Sequence, residues 1–263
     1  MGQLDATQIR ASVPDSVDRI DALAEVDSTN DFLKARPLPA ANCWHLAVAD
    51  TQTAGRGRGD NSWLSPPGGG LWMSTAHTFS EVPARLSSFT LVAGIAVVEA
   101  LESFGLRSVQ LKWPNDLVVN GCKLGGILVE ALNSGRSAVC GIGINVAVPD
   151  IDELTFRKAL RPTDLTSVLD DVPDRNRLAG AIVGRLVDAA DRFSREGFAP
   201  FADTWSRYDW LRGREVFISG VKPSVMGVAN GIGDNGELIL RDNDTDVRVV
   251  AGSVRLVDSK AVR

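Results

Sequence analysis

The chain has 263 residues, of which 44% are hydrophobic, and a formal net charge of −5. This length suffices for a large domain plus a small one, and the negative charge argues against broad electrostatic binding to nucleic acid. The N-terminal MGQLDATQIRASVPDS has no signal-peptide pattern, and no apolar run of membrane-spanning length is expected.

The cysteines and histidines predict no metal centre. Cys43, Cys122 and Cys140 are scattered without CxxC spacing, which is typical of reduced thiols in a cytoplasmic protein. His45 and His77 are far apart in strand-like contexts, and we interpret both as structural.

The first third of the chain predicts few regular elements. Residues 1–24 are interpreted as a polar lead-in with one short helix, and Ser28 or Thr29 as the N-cap of the next helix. Apolar runs at 44–49 and 71–78 predict two buried strands.

Between those strands lies AGRGRGDNSWLSPPGGGLWMS, residues 54–74. Its glycines let backbone amides approach an anion, Arg56 and Arg58 supply cationic forks, and Trp63 offers a flat face for stacking. This composition favours a loop that closes over an anionic ligand, although by itself it also fits a flexible surface loop.

The middle of the chain predicts a sheet covered by helices. Apolar residues at three- and four-residue steps predict a helix over 83–104. Strands are expected at 107–113 and 136–148, with a hairpin of 116–120 and 123–131 around Asn120-Gly121. Strands joined largely by turns indicate an α+β fold with a mixed or antiparallel sheet.

The last third changes character. Residues 149–174 are expected to run over the surface, followed by a helix over 174–196 and a second helical stretch. Short β-rich runs from Leu211 onward predict a small barrel. We therefore predict a main domain of residues 1–210 and a second domain of residues 211–263.

Two lysines stand in unusual settings. Lys112 opens KWPND, where Pro114 ends the strand, so Asn115 and Asp116 are expected in a turn with free side chains. Lys123 precedes Leu124-Gly125-Gly126, where a ligand can lie against the backbone. Many donors without a nucleophile–base pair suit charge stabilisation of acyl or phosphoryl transfer. The sequence lacks the P-loop motif GxxxxGK[ST] and the nucleophilic-serine motif GxSxG. In any phosphate chemistry Mg²⁺ is therefore expected to be recruited through the nucleotide, with few protein ligands.

Four ordered motifs carry a resemblance to a known family: DSTN, GRGRGDNSWLSPPGGGLWMS, KWPNDLVVNGCKLGGILVE and GIGINV. They resemble the biotin–protein ligases, strongly over residues 22–148 and loosely over the C-terminal barrel. The resemblance implies a catalytic domain like that of class II aminoacyl-tRNA synthetases, followed by an SH3-like domain. It also implies that biotin and ATP form biotinyl-5′-AMP with Mg²⁺, and that a lysine of the biotin carboxyl carrier protein then takes the biotin.

The resemblance also implies residue roles. The residues placed around biotin are Ser28, Thr29, Asn30, Gln52, Gly55, Arg56, Arg58, Lys123 and Gly126. Those placed at ATP or the adenylate are Arg56, Arg58, Trp63 on the adenine, Lys112, Asn115, Lys123 and Asn145. The residues assigned to catalysis are Lys123, Arg58, Lys112 and Asp116. Lys123 would bridge the biotin carboxylate and the α-phosphate. Asp116 is assigned, as a hypothesis, to help deprotonate the acceptor lysine. No residue is assigned with certainty as a metal ligand.

The chain departs from the family pattern at Gly59-Asp60-Asn61, where further arginine and glycine are usual. It starts about two dozen residues before DSTN, from which we expect a ligase without the DNA-binding repressor domain of larger members. We also expect a monomer or weak homodimer without membrane association.

Two alternatives are weighed against this interpretation. A lipoate–protein ligase would carry an Arg-rich stretch leading into Gly-Gly-Gly and a downstream His, whereas here Gly68-Gly69-Gly70 precedes Leu-Trp-Met. A nucleic-acid-binding module would need a basic stripe with spaced aromatic residues, which the acidic chain lacks.

Overall fold

The computed structural model describes residues 2–59, 61–148, 160–242 and 245–257. Its helices are α1 (Ala6–Arg10), α2 (Thr29–Lys34), α3 (Phe89–Ser103), α4 (Arg175–Glu196) and α5 (Ala202–Tyr208). The strands of the larger sheet are β1 (Val17–Val26), β2 (Trp44–Gln52), β3 (Gly70–Thr78), β4 (Gln110–Lys112), β5 (Asp116–Val119), β6 (Cys122–Leu132) and β7 (Ser137–Asn145).

The larger sheet is mixed, with strand order β1-β2-β3-β7-β6-β5-β4. Only β1 and β2 pair in parallel; the other neighbours pair antiparallel. Its centre is the long pairing of β3 with β7, from Gly70 opposite Asn145 to Thr78 opposite Ser137. The sheet and its helices form the α+β architecture that the turn-linked strands predicted.

The two faces of the sheet have different tasks because successive strand residues point to opposite sides. On β7, Cys140, Ile142 and Ile144 belong to the main hydrophobic core. That core also contains much of α3, which is buried on nearly every side, and the apolar stripe of α4. The opposite face carries α2 and the functional candidates.

The C-terminal strands form a second, antiparallel sheet. They are β8 (Glu215–Ser219), β9 (Val225–Ile232), β10 (Leu238–Asp242), β11 (Thr245–Val249) and β12 (Ser253–Leu256), in the order β11-β10-β9-β8-β12. The predicted boundary at 210/211 falls between α5 and β8. Trp113 joins the two parts by donating its Nε1 hydrogen to the carbonyl of Gly236, at 3.1 Å.

Several predictions about elements need correction. Residues 1–24 are not a lead-in, because β1 forms the edge of the sheet from Val17 onward. The strand predicted at 107–113 is shorter, because only the residues of β4 pair with a neighbouring strand. The helix predicted over 83–104 begins later, at Phe89, after a short 3-10 turn. Part of the predicted surface segment, residues 149–159, lies outside the described residues.

The window Leu86–Ser103 has a mean hydropathy of 1.5 and the length of a membrane span, which the sequence analysis did not expect. In the structure 72% of this window is buried inside the protein. The fold therefore accounts for its apolar character as that of a core helix.

His77 is buried in β3 and has the structural role that the sequence suggested. Its ring stacks on Trp44 with centroids 4.0 Å apart, and Nδ1 lies 3.0 Å from the carbonyl oxygen of Cys43. Burial lowers the pKa of His77 from 6.5 to about 4, against the opposing effect of that carbonyl. The folded protein therefore holds the imidazole neutral.

This burial predicts a pH-dependent stability. Between pH 6.5 and pH 4 the unfolded chain binds a proton at His77 that the folded protein rejects, so stability falls as the pH decreases. The loss is on the order of 3 kcal/mol over this window. We expect His77→Gln, whatever its absolute stability, to remove that part of the slope in urea unfolding measured from pH 7 to pH 4. His45→Gln should retain it, and an unchanged slope in His77→Gln would contradict the assignment.

Candidate functional site

The site is built on sheet positions that lack side chains. We call Gly126, Gly141 and Gly143 the glycine floor; Gly126 and Gly143 lie directly opposite one another on β6 and β7. A Cβ on Gly141 would lie 2.4 Å from Asn30 Oδ1, and one on Gly143 would lie 2.8 Å from the Trp63 ring. Only glycine allows these two side chains to rest on the sheet.

Trp63 reaches the floor from the Gly-Arg loop, which we define as residues 54–65. The amide of Trp63 donates to the carbonyl of Gly55 at 2.8 Å, so the loop folds back on itself. A Cβ on Gly55 would lie 2.4 Å from the carbonyl oxygen of Trp63, which explains the glycine there. The Trp63 ring also meets Trp72 edge-on, with centroids 6.2 Å apart. Among the described residues, no acceptor takes the Nε1 hydrogen of Trp63.

Lys123 lies beside the Trp63 ring and belongs to a triad of charges. Its Nζ is 5.2 Å from the ring centroid and 2.6 Å from Asp116 Oδ1, and Lys112 Nζ is 3.3 Å from the other carboxylate oxygen. Burial alone would raise the pKa of Asp116, but the charges of Lys123 and Lys112 outweigh it and hold that pKa below its ordinary value. Asp116 is thus an ionised partner that orients both lysines.

The prediction that Asn115 and Asp116 have free side chains is therefore wrong. Asp116 is the first residue of β5 and is paired with two lysines. Asn115 lies in the turn as predicted, but its Nδ2 donates to the carbonyl of Ile127 at 2.9 Å, and its own carbonyl accepts from the Ile127 amide. Trp113-Pro114-Asn115 is thereby fastened to β6, a pairing that the sequence did not show.

Ser28, Thr29 and Gln52 come together at the start of α2. Ser28 is the N-cap, and its Oγ accepts from the amide of Asp31. Thr29 donates both its amide and its hydroxyl hydrogen to Gln52 Oε1, at 2.9 and 3.1 Å, and Gln52 Nε2 donates to Ser65 Oγ. The structure confirms the capping role of Ser28, and contact of these residues with a ligand stays a prediction.

Asn30 uses its side chain within the protein. Its Oδ1 lies 2.6 Å from Ser74 Oγ, and its Nδ2 donates to Glu130 Oε2 at 2.7 Å and to the carbonyl of Leu128 at 3.3 Å. Ser74 Oγ is also 2.7 Å from Thr29 Oγ1. Asn30 is buried, and its contacts fix α2 on the sheet.

The two arginines of the loop have different environments. Arg56 contacts the carboxylates of Asp31 and Glu130 at 3.0 and 2.5 Å. Arg58 Nη1 donates instead to the carbonyl of Gly252, just before β12, at 3.2 Å. Burial lowers the pKa of Arg58, partly offset by the charge of Asp116. Among the described residues, Arg58 is thus held by a backbone carbonyl and Arg56 by two carboxylates.

Asn145 ends β7 and holds the backbone around Lys123. Its Nδ2 donates to the carbonyl of Thr163 at 2.9 Å and to that of Lys123 at 3.4 Å. The Lys123 amide donates to the carbonyl of Arg161, and its carbonyl accepts from the Thr163 amide. Lys123 is thus held by its backbone as well as by its ion pair.

The structure brings all the predicted site residues to one region of the sheet, although their ligand contacts stay predictions. Sequence reasoning missed Ser65, Ser74 and Glu130, which connect the predicted residues to one another. Because side chains alternate along β3, Ser74 lies on the same side of the sheet as Trp72. Nothing in the sequence indicated which residues Ser74 contacts. Asp60, the centre of the family departure, lies outside the described residues.

Within the described part of the chain, no group of three or more His, Cys, Asp or Glu side chains could hold a metal ion. Asp116, the carboxylate nearest Lys123, is already paired with two lysines.

Comparison with known proteins supplies the family. Residues 23–146 match the model of the biotin/lipoate A/B protein ligase family. The bifunctional ligase/repressor BirA of Salmonella typhimurium is 31% identical over 259 residues, covering 96% of this chain and 78% of the relative. The biotin–(acetyl-CoA-carboxylase) ligase of Mycobacterium tuberculosis is 32% identical over 247 residues, covering 90% and 88%.

Solved structures agree with this match. Biotin protein ligase from Aquifex aeolicus in complex with biotin and ATP superposes with a TM-score of 0.79 at 29% identity, covering 92% of this chain and 99% of that one. The enzyme from Leishmania major in complex with biotinyl-5-AMP gives a TM-score of 0.60 at 26% identity, covering 92% and 99%.

The glycine floor yields a prediction about Trp63. In Gly143→Ala the new methyl group would lie 2.8–2.9 Å from ring atoms of Trp63, so the ring must leave its position. Overpacking of this kind costs about 1–3 kcal/mol. We expect a lower free energy of unfolding in urea and a changed near-ultraviolet circular dichroism spectrum.

Gly184→Ala in α4 is the matched control, because nothing lies within 4 Å of its added Cβ. A helix-interior alanine should there be neutral or stabilising. If Gly143→Ala behaved like Gly184→Ala, Trp63 would not rest on the floor.

Proposed function

The chain belongs to the biotin/lipoate A/B protein ligase family, and we propose that it attaches biotin to a protein lysine at the expense of ATP. The observation that carries this function is the position of Lys123, whose ammonium lies between the Trp63 ring, Gly126 and Asp116. The relatives named as biotin ligases, and the complexes with biotin, ATP and biotinyl-5-AMP, support the same reaction.

In the first step a carboxylate oxygen of biotin attacks the α-phosphorus of ATP. A new acyl oxygen–phosphorus bond forms, the bond to the β-phosphate breaks, and pyrophosphate leaves with its electron pair. Negative charge gathers on the α-phosphate oxygens in the transition state, so a fixed cation there lowers the barrier. Lys123 is the residue that we assign to this charge, and Arg58 is the second cation that we assign to the adenylate.

In the second step the uncharged amine of the acceptor lysine attacks the acyl carbon of biotinyl-AMP. An amide forms, AMP leaves, and the amine loses a proton. We propose the biotin carboxyl carrier protein of acetyl-CoA carboxylase as the acceptor, from the names of the relatives. Asp116 is a weak base because two lysines lower its pKa, so its role is to hold Lys112 and Lys123.

The remaining assignments are proposals with narrower support. Mg²⁺ would enter with the phosphates of ATP, since the described residues offer no cluster of protein ligands. Three free thiols at Cys43, Cys122 and Cys140 favour a cytoplasmic protein. The absence of nucleic-acid and membrane partners, and a monomer or weak homodimer, stay predictions from the sequence.

Lys123→Ala tests the assignment of Lys123 in biotin-dependent ATP–pyrophosphate exchange. Removing the ammonium should lower exchange by about 100-fold or more, because a preorganised charge at the transferring group is lost. The exposed Lys222→Ala, at a residue with no assigned role in the site, is the matched control and should exchange like the wild type. Wild-type exchange with lipoate instead of biotin would reject the proposed substrate, and undiminished exchange in Lys123→Ala would reject the residue assignment.

Asp116→Asn separates two possible roles of Asp116. If Asp116 only deprotonated the acceptor lysine, Asp116→Asn would slow transfer and leave exchange intact. The two ion pairs imply instead that adenylation falls as well, because Lys112 and Lys123 lose their common partner. Exchange and single-turnover transfer from purified biotinyl-AMP measure the two steps separately. Asp203→Asn, an exposed change on α5, serves as the control.

A further inference from the structure

Four charged side chains form a closed cluster beside the site. This Arg56 cluster consists of Asp31 and Lys34 on α2, Arg56 in the loop, and Glu130 on β6. Lys34 Nζ lies 2.7 Å from Glu130 and 2.8 Å from Asp31, and Arg56 Nη2 contacts the same two carboxylates. Two positive and two negative charges thus balance within one network.

In this cluster the Arg56 guanidinium is already paired with two carboxylates. A guanidinium held by two carboxylates is poorly suited to bind a phosphate unless those contacts first break, since both compete for the same donors. Arg58 contacts no carboxylate among its described hydrogen bonds and ion pairs. The two arginines of GRGR therefore have separable tasks.

Arg56 is well placed to hold the loop. Its backbone forms a bridge with Ser62, and the Gly57 amide donates to the carbonyl of Asn61 at 2.7 Å. The Trp63 amide closes the same turn on Gly55. Restraining the side chain of Arg56 thus restrains a small hairpin whose far strand carries Trp63.

Glu130 is held by a neutral side chain as well as by the two cations. Asn30 Nδ2 donates to Glu130 Oε2, and Asn30 rests on Gly141 of the glycine floor. Burial alone would raise the pKa of Glu130, but hydrogen bonds from Lys34, Asn30 and Arg56 outweigh it and keep the group ionised. The carboxylate is therefore a rigid attachment point on the sheet.

We propose that Arg56 is a positioning residue: Glu130 and Asp31 anchor it, and this attachment holds Trp63 on the glycine floor and retains the adenylate intermediate. The retention part rests on the proposed function. The positional part concerns the free protein and is testable without any ligand.

The alternative is that Arg56 binds phosphate directly. In that case Glu130→Gln would release Arg56 for the ligand and leave the KM for ATP unchanged or lower, whereas Arg56→Gln would raise it. If Arg56 acts through its anchors, Arg56→Gln and Glu130→Gln have the same effect, and the double variant is no worse than either single one.

The test uses the full chain as wild type, Arg56→Gln, Glu130→Gln, the double variant and Asp31→Asn. Arg195→Gln, which breaks an exposed ion pair with Asp191 on α4, is the matched control. Hydrogen–deuterium exchange of the backbone amides of residues 55–63 is measured on ligand-free protein. The dissociation of preformed biotinyl-AMP is measured by chase with unlabelled biotin and ATP.

We expect each cluster variant to speed both loop exchange and release of the intermediate by about three- to tenfold, as loss of a partly exposed ion-pair network allows. The double variant should match the singles, and Arg195→Gln the wild type. If Glu130→Gln fails to fold, Asp31→Asn tests the same attachment from the other anchor.

Two results would overturn the proposal: unchanged loop exchange in Glu130→Gln and Asp31→Asn, or a raised KM for ATP in Arg56→Gln alone. Failure of the proposed function is distinguishable from failure of this proposal. A wild-type protein without biotin-dependent ATP–pyrophosphate exchange would still show, by hydrogen–deuterium exchange, whether the cluster restrains the loop.

Discussion

The site depends on the missing Cβ atoms of the glycine floor. On β7 every second side chain enters the core. The alternate positions 141 and 143, which face the other side of the sheet, are glycines. Asn30 and Trp63 occupy that space, at distances that even a methyl group would prevent. The positions of α2, the loop and the Lys123 ammonium all follow from this close approach to the backbone.

A second principle is that Lys112, Lys123, Lys34 and Arg56 are each paired with a carboxylate in the free protein. Lys112 and Lys123 share Asp116, and Lys34 and Arg56 share Asp31 and Glu130. Clustered cations without partners would repel one another and disfavour the folded site. The pairs hold them in place, and an anionic substrate can compete with Asp116 for Lys123 at the moment of binding.

The helix α2 connects the two halves of the site. Thr29 meets Gln52 and Ser74 on the side predicted to bind biotin, while Asp31 and Lys34, within two turns, meet Arg56 and Glu130. One short helix therefore carries both residues that are predicted to contact biotin and residues that hold the loop. Its own position is set by the Ser28 cap and by Leu33 against Ala47, Ala76 and Val139.

The sequence by itself determined the local features: the helix that ends at Gly197, the Asn120-Gly121 turn, the β-rich C-terminal part, and the motifs that name the family. These depend on neighbours along the chain or on spacing. The edge strand β1 was missed, because its burial comes from α1 and β2 instead of a clear alternation of its own. Only the tertiary structure decided that Asp116 pairs with two lysines and that Glu130 meets Arg56, 74 residues away. Such charge partners are set by strand register and sheet order, which no local pattern of residues contains.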